Sequence, residues 1–183
     1  MQPTGFRVYR QLEHPDRASL DAHEESNDIM LIGTGGTYDP RVIALLDHHT
    51  TTARAQTAPG SAHALDLPGL RALDVSFWTG WDGEMLVAVG ALKTLSPAHG
   101  EVKSMHTAEA ARRRGFAGRM LRHVIADARA RGMARLSLET GSWDYFKPAH
   151  ALYQAHGFVL CGPFEGYVED SNSLFLTLDL TGR

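Results

Sequence analysis

The sequence has few of the features that stabilise a secreted protein or anchor a membrane protein. Its single cysteine, Cys161, excludes an internal disulfide and fits a reducing compartment. No window approaches the ~18 consecutive uncharged apolar residues that a membrane-spanning helix needs. Residues 1–28 are polar and lack the apolar core of a signal peptide. We therefore expect a soluble, cytoplasmic protein with no membrane partner.

Several familiar ligand-binding patterns are missing as well. The neighbouring histidines His48 and His49 are adjacent rather than spaced i, i+4, and no cysteine pair accompanies them, so we predict no metal site. The chain lacks the Gly-Lys-Ser/Thr end of a P-loop. The glycines of residues 33–36 do not follow the G-x-G-x-x-G pattern of dinucleotide-binding proteins, and we interpret them as a flexible turn.

The length and the hydrophobic pattern predict one mixed domain. The 183 residues are 43% hydrophobic and 21% charged, which suits a single globular domain. Residues 1–27 show little periodicity and are predicted to be an extension that precedes a domain of residues 28–183. Strands are predicted at 28–32, 75–81, 84–93, 101–107, 135–139, 158–161 and 173–180, helices from Pro40, from Ala117 to Gly132 and from Pro148 to Gly157, and a loop at 50–60. This order predicts a mixed α and β domain.

The charges are distributed unevenly. The net charge is −3, yet half of the eighteen Lys and Arg residues lie within residues 103–135, beside only two acidic residues. A local basic region on an acidic protein favours a small polyanionic ligand, although a solvated helix face is the alternative. A nucleic-acid-binding surface would need aromatic residues among the basic ones, and the helix has none. The acidic remainder of the chain is compatible with an amine acceptor.

Residues 112–119, Arg-Arg-Arg-Gly-Phe-Ala-Gly-Arg, lie between a predicted strand and the clearest amphipathic helix. Gly115 and Gly118 let a ligand approach the backbone closely, because neither has a Cβ atom. The first turn of the helix leaves N–H groups without intrahelical partners, and the helix dipole adds positive potential there. We predict a cradle for a pyrophosphate. The alternative is a tight turn with arginines that face solvent.

Two segments resemble a known family. Arg112-x-x-Gly115-x-Ala117 matches the Gln/Arg-x-x-Gly-x-Gly/Ala signature of the GNAT acetyltransferases, and residues 149–158 resemble the A-x-x-L-Y-x-x-x-G-F segment of that family. Residues 28–180 further resemble the YsnE-like bacterial branch, through residues 61–66, 77–78, 90–93, 100–105, 138–142, 161–164 and 170–173. The resemblance implies the GNAT fold, an α/β (α+β) domain with a mixed, mostly antiparallel sheet, a splayed central strand pair and helices on both faces.

The same resemblance implies acetyl-CoA as co-substrate and an assignment of roles. The strand that contains residues 103–107 would splay from its neighbour and pair with the pantetheine arm through its backbone. Residues implied to bind the coenzyme are Met105, His106, Thr107, Arg112, Arg113, Arg114, Gly115, Phe116, Ala117, Gly118 and Arg119. Tyr153 would protonate the leaving thiolate, and the alternative is a tyrosine that only packs its ring. One position departs from the family pattern, because Phe146 replaces an asparagine often credited with a coenzyme contact.

The acceptor side is less sharply defined. Glu101 is the first candidate for the base that deprotonates the amine, and Glu139 or a water chain is the alternative. The alternative for either glutamate is a structural role, paired with Lys103 or a nearby arginine. His63, Trp78, Glu139 and Tyr167 are candidates to line the acceptor pocket, although Trp78 also fits the core. The implied function is N-acetyl transfer to a small-molecule or peptide amine by direct attack in a ternary complex. A non-catalytic acyl-CoA sensor is the alternative, and family analogy suggests a homodimer.

Overall fold

The computed structural model describes residues 29–55 and 65–182, of which residues 53 and 54 are described by their backbone alone. The predicted extension, residues 1–27, and the candidate pocket residue His63 lie outside these ranges. The described ranges contain seven strands, β1 (Leu31–Thr34), β2 (Val75–Asp82), β3 (Met85–Ser96), β4 (His99–Thr107), β5 (Arg135–Gly141), β6 (Val159–Cys161) and β7 (Ser173–Asp179). Four α-helices accompany them, α1 (Pro40–Ala55), α2 (Leu67–Leu70), α3 (Phe116–Ala130) and α4 (Lys147–Ala155).

The seven strands form one sheet in the order β1-β2-β3-β4-β5-β7-β6. All neighbouring strands run antiparallel except β4 and β5, which are parallel at the centre. A crossover that contains α3 joins these two strands, as parallel pairing requires. The predicted mixed, mostly antiparallel sheet is therefore confirmed.

Helices cover both faces of the sheet, because each strand buries alternate residues on opposite sides. On one face, α3 and α4 pack over a core that includes Trp78, Leu92 and Val102. On the other face, α1 and α2 pack against a second cluster that includes Phe77 and Ala91. We call these the α3 face and the α1 face. Within the described ranges, no helix is both long and apolar enough to cross a membrane.

Most predicted elements are confirmed within a few residues, but three details differ. The prediction of a loop over residues 50–60 is wrong for residues 50–55, because α1 continues to Ala55. Threonine disfavours a helix by less than about 1 kcal/mol per residue, and a helix that has already formed extends at little cost. The first strand lies at Leu31–Thr34 rather than at 28–32. Helix α2 was not predicted, although Asp66 caps it by accepting a 2.8 Å hydrogen bond from the Gly69 N–H.

Candidate active site

A cleft opens between the two parallel strands at the centre of the sheet. Strands β4 and β5 pair only at three positions, the last of which is Glu101 with Ser137. Beyond this point β4 continues to pair with β3, and β5 continues to pair with β7. Residues 103–107 of β4 and 138–141 of β5 therefore diverge, and we call the space between them the β4–β5 cleft. The splayed strand pair expected from the resemblance is present.

A β-bulge deforms β4 inside this cleft. Ala91 of β3 pairs with Lys103, whereas Val89, two residues earlier, pairs with His106 three residues further along β4. The extra residue is accommodated by Ser104, which has a positive φ of 51°. Because a bulge bends its strand away from its neighbours, it supports the divergence of β4 from β5. The backbone of residues 103–107 thus borders the cleft, where the resemblance places the pantetheine arm.

The predicted pyrophosphate cradle lies where the chain leaves β4 and enters α3. Gly115 is the N-cap residue of α3 and has a φ of 79°, in the left-handed region that glycine tolerates. Arg113 also has a positive φ, 63°. The first bond of helical spacing runs from the Arg119 N–H to the Gly115 carbonyl at 3.1 Å. The N–H groups that precede this bond point out of the helix end, where an anion would be stabilised.

The arginines of this segment do not share one environment. Arg112 and Arg113 are exposed. Arg114 is half-buried, and it donates a 2.8 Å hydrogen bond to the Asp82 carboxylate while its guanidinium lies 4.9 Å from the centre of the Phe116 ring. The Asp82 carboxylate, at the end of β2, therefore neutralises part of the Arg114 charge. The exposed pair has the freedom to reach a bound phosphate, and Arg114 instead ties the cradle to the sheet.

At the closed end of the cleft, three side chains form a compact polar group on the α1 face, and we call it the Glu101 triad. The Tyr167 hydroxyl donates a 2.7 Å hydrogen bond to Oε1 of Glu101, and Nζ of Lys103 lies 3.1 Å from the same oxygen. Lys103 also donates a 2.8 Å bond to the Tyr167 hydroxyl. Burial and the adjacent Glu101 carboxylate raise the pKa of the Tyr167 phenol, so this hydroxyl keeps its proton.

Tyr153 projects from α4 into the core on the α3 face, where only 7% of it is exposed. Its hydroxyl makes no hydrogen bond to any side chain or backbone group of residues 29–55 and 65–182. Burial and the charge of Glu139 raise the pKa of this phenol, which therefore stays protonated at neutral pH. Glu139 itself lies on β5 and accepts a 2.7 Å hydrogen bond from the Ser173 hydroxyl.

The sequence analysis did not identify an aromatic group that supports Tyr167. The rings of Phe164, Tyr167 and Phe175 pack edge to face or tilted, with centroids 5.0 to 6.0 Å apart. His99, at the start of β4, lies 5.7 Å from Phe164 and hydrogen-bonds to Ser137 at 2.8 Å. The period-two alternation of His99, Glu101 and Lys103 was the available signal, because it places three polar side chains on one face of a strand.

Other predicted site residues lie further from the Glu101 triad. Trp78 is buried in β2, two strands away from β4, and its ring packs edge to face with His123 of α3 at 5.1 Å. This placement supports its core role. Met105 lies on the α3 face beside Met120, where both side chains approach Gly90. Thr107 pairs with Ala88 at the end of β4.

The side chain of His106 faces α1 rather than α3. Its ring centre lies 4.5 Å from that of His49 and 6.2 Å from that of His48. Burial, followed by the charges of His49 and Arg112, lowers the pKa of His106 to about 3, and burial lowers that of His49 to about 4. In the described ranges, no group of three or more His, Cys, Asp or Glu side chains is arranged to hold a metal ion.

Phe146, which replaces the asparagine common in the family, packs against the end of β5. A Cβ atom on Gly141 would overlap the Phe146 ring, so this glycine makes room for the aromatic side chain. The ring also meets Tyr145 edge to face at 5.0 Å. His150 hydrogen-bonds to the Gly141 carbonyl at 2.8 Å. At this position an apolar contact between α4 and β5 thus replaces a polar side chain.

A mixed sheet with a splayed parallel centre, next to a glycine-containing helix N-terminus, defines a domain with the acyltransferase fold. A solved GNAT family acetyltransferase from Elizabethkingia anophelis, with acetyl-CoA bound, has the same fold at a TM-score of 0.60 and 18% identity, over 84% of this chain and 99% of that one. The acetyltransferase (GNAT) family profile matches residues 42–158, and the chain belongs to this family.

Two curated relatives are considerably closer in sequence. An uncharacterized N-acetyltransferase, YsnE of Bacillus subtilis, is 45% identical over 140 residues, which span 76% of this chain and 93% of the relative. The uncharacterized N-acetyltransferase YedL of Escherichia coli is 46% identical over 149 residues, 81% of this chain and 94% of the relative. The YsnE-like branch expected from the sequence is therefore confirmed, and the chain is an acetyltransferase enzyme.

Proposed function

We propose that this enzyme transfers the acetyl group of acetyl-CoA to the amine of a small molecule or peptide, by direct attack in a ternary complex. The observation that carries the proposal is the arrangement along β4. Its C-terminal end leads into the cradle at the N-terminus of α3, its bulged middle borders the β4–β5 cleft, and Glu101 lies at the closed end. One strand thus connects an anion-binding helix end to a buried carboxylate.

The described residues fit acetyl-CoA. The cradle of residues 112–119 offers helix N–H groups and the exposed arginines Arg112 and Arg113 to a pyrophosphate. Among the described residues, no strand pairs with the edge of β4 that faces away from β3 beyond Glu101, so the backbone of residues 105–107 can pair with the amide groups of pantetheine. A long ligand that carries a pyrophosphate and an amide-containing pantetheine arm requires both a helix end that binds anions and an unpaired strand edge.

The chemical step uses Glu101 and Tyr153. Glu101 removes a proton from the acceptor ammonium, because a protonated amine has no lone pair for attack. The amine nitrogen then bonds to the thioester carbonyl carbon. When the C–S bond breaks, the sulfur receives a proton from Tyr153, whose raised pKa keeps it protonated until then. The second proton that the amine nitrogen loses on forming the amide restores the Tyr153 phenol. Glu139 is the second candidate for the base. It lies on β5, accepts a bond from Ser173, and its charge contributes to the raised pKa of both Tyr153 and Tyr167.

The test is a thiol-release assay with acetyl-CoA and a panel of amines, comparing wild type with Glu101→Gln. Glutamine can still accept hydrogen bonds from Lys103 and Tyr167, so the change removes the base and keeps the shape. We expect a loss of about 10²- to 10⁴-fold in kcat. Glu109→Gln changes an exposed glutamate in the turn before α3 and serves as the matched control. Unchanged turnover in Glu101→Gln would transfer the role to Glu139 or to water.

A further inference from the structure

The Glu101 triad contains one carboxylate and one ammonium group at the place where the acceptor must bind. We propose that the acceptor is a zwitterion, an α-amino acid, whose amino group is held by Glu101 and whose carboxylate is bound by Lys103. The inference rests on the proposed acetyl transfer to an amine and specifies its substrate class. The position of Lys103 on β4 and the hydrogen bonds of its ammonium group support this inference.

Lys103 is a buried ammonium group with hydrogen-bonding capacity to spare. An ammonium has three N–H donors, and in the described part of the chain Nζ donates to two acceptors, Oε1 of Glu101 and the Tyr167 hydroxyl. Only 8% of its side chain is exposed. A buried charge is costly unless its hydrogen bonds are completed. The third donor is therefore suited to an anionic group of a bound ligand.

Lys103 is also the first residue of its face beyond the point where β4 and β5 separate. The last pair joins Glu101 to Ser137, and Lys103 lies two residues further on the same side of β4. Its head group thus stands at the opening of the β4–β5 cleft, next to the carboxylate that we propose as the base.

Glu101 presents the complementary half of the site. Both of its hydrogen bonds, from Tyr167 and from Lys103, converge on Oε1. Its second oxygen, Oε2, takes part in neither bond and remains available to an amine. The head groups of Glu101 and Lys103 lie 3.1 Å apart. In an α-amino acid a single carbon separates the ammonium from the carboxylate, so both charges can meet their opposites at once.

Charge balance favours the same class of acceptor. The Glu101–Lys103 pair is neutral overall, and a zwitterion keeps it neutral. A simple cationic amine would place an uncompensated positive charge beside Lys103, which a desolvated site penalises. Glu139 is the opposing influence, because its carboxylate on β5 raises the pKa of Tyr167 and so acts at short range. The experiment must therefore compare zwitterions with plain amines directly.

The probes are α-amino acids with apolar side chains, chosen because Phe164, Tyr167 and Phe175 form an aromatic group beside the triad. Each amino acid is compared with its own amide and with its decarboxylated amine. We expect kcat/KM for the amino acid to exceed that for either analogue by about 10- to 100-fold, the range of one hydrogen bond to a charged group. Equal rates, or a preference for the amine, would overturn the inference.

Lys103→Met tests which residue makes the discrimination. The ratio of kcat/KM for the amino acid to that for the amide should fall to near one, even where loss of the contact between Lys103 and Glu101 lowers both rates. A general folding defect would lower both rates together and leave the ratio intact. Lys147→Met, which alters an exposed lysine paired with Asp144, should retain the wild-type ratio. Should Lys103→Met fail to fold, Lys103→Gln removes the charge with less loss of polarity.

The outcomes separate the two proposals. A preference that persists in a folded Lys103 variant would refute the carboxylate contact. Acetyl transfer confined to amines without a carboxylate would overturn the amino-acid inference and leave the proposed function standing. Absence of transfer to any amine, despite coenzyme binding, would overturn both.

Discussion

Replacement of Tyr153 by phenylalanine should separate catalysis from folding. The side chain is largely buried, and its hydroxyl makes no hydrogen bond to any group in the described part of the chain, so removal of the hydroxyl breaks no hydrogen bond there. We expect the free energy of unfolding to change by less than about 1 kcal/mol. The proton donor is lost, however, and general acids contribute about 10²- to 10⁴-fold to rates. This range corresponds to about 2.7 to 5.5 kcal/mol in the activation barrier.

The assay measures thiol release under saturating acetyl-CoA, with coenzyme affinity determined separately by calorimetry. Tyr153→Phe should lose kcat while its Kd for acetyl-CoA stays close to that of wild type. Tyr38→Phe is the matched control, because it removes an exposed hydroxyl on the loop between β1 and α1. A Tyr153→Phe enzyme with wild-type kcat would refute the acid role. A large fall in thermal stability would instead show that the hydroxyl has a structural partner.

Two further predictions concern stability. Gly115→Ala should lower the free energy of unfolding by about 1–2 kcal/mol and weaken coenzyme binding. The reason is backbone strain, because alanine is disfavoured at a φ of 79°, although its Cβ atom would meet no other atom. Thermal denaturation measures the loss of stability, and calorimetry measures the loss of affinity. His106 and His49 have pKa values of about 3 and about 4, below 6.5 for an unfolded imidazole, so each favours the folded state above pH 6.5. As the pH falls from 6.5 to 4, each histidine should lower the free energy of unfolding by about 1.4 kcal/mol per pH unit. In His106→Asn, denaturant titration should show roughly half of the wild-type decline in this free energy. An unaltered slope would contradict the lowered pKa of His106.

The elements most accurately predicted from the sequence were those with strong local signals. Helix α3 was recognised because Met120, Leu121 and Val124 recur at helical spacing, and all three are fully buried. The turn between β2 and β3 followed from an Asp-Gly pair between apolar runs. The tight turn before α3 followed from Gly115, whose positive φ is a local backbone property. Such features depend on neighbours in the chain, so a single sequence contains them.

The features that were missed depend on residues far apart in the chain. Tyr167 lies 66 residues after Glu101, and only the folded sheet brings its hydroxyl to that carboxylate. The sequence analysis named Lys103 as a structural partner for Glu101, but it also counted this lysine in the basic region 103–135, for which a solvated face was the alternative. Its partners on β4 and in the loop before β7 overrule that expectation. The position of Lys103 two residues after Glu101, on the same face of one strand, was the signal that deserved more weight.

The bulge in β4 explains why strict alternation fails at the centre of the site. A regular strand would place Met105 on the same face as Glu101 and Lys103. Because the bulge at Ser104 inserts one residue, Met105 instead turns to the α3 face beside Gly90, and His106 returns to the α1 face. The polar head of Lys103 and the apolar side chain of Met105 are thereby separated by the sheet. A single left-handed residue thus keeps the acceptor side of the cleft polar and its α3 side apolar.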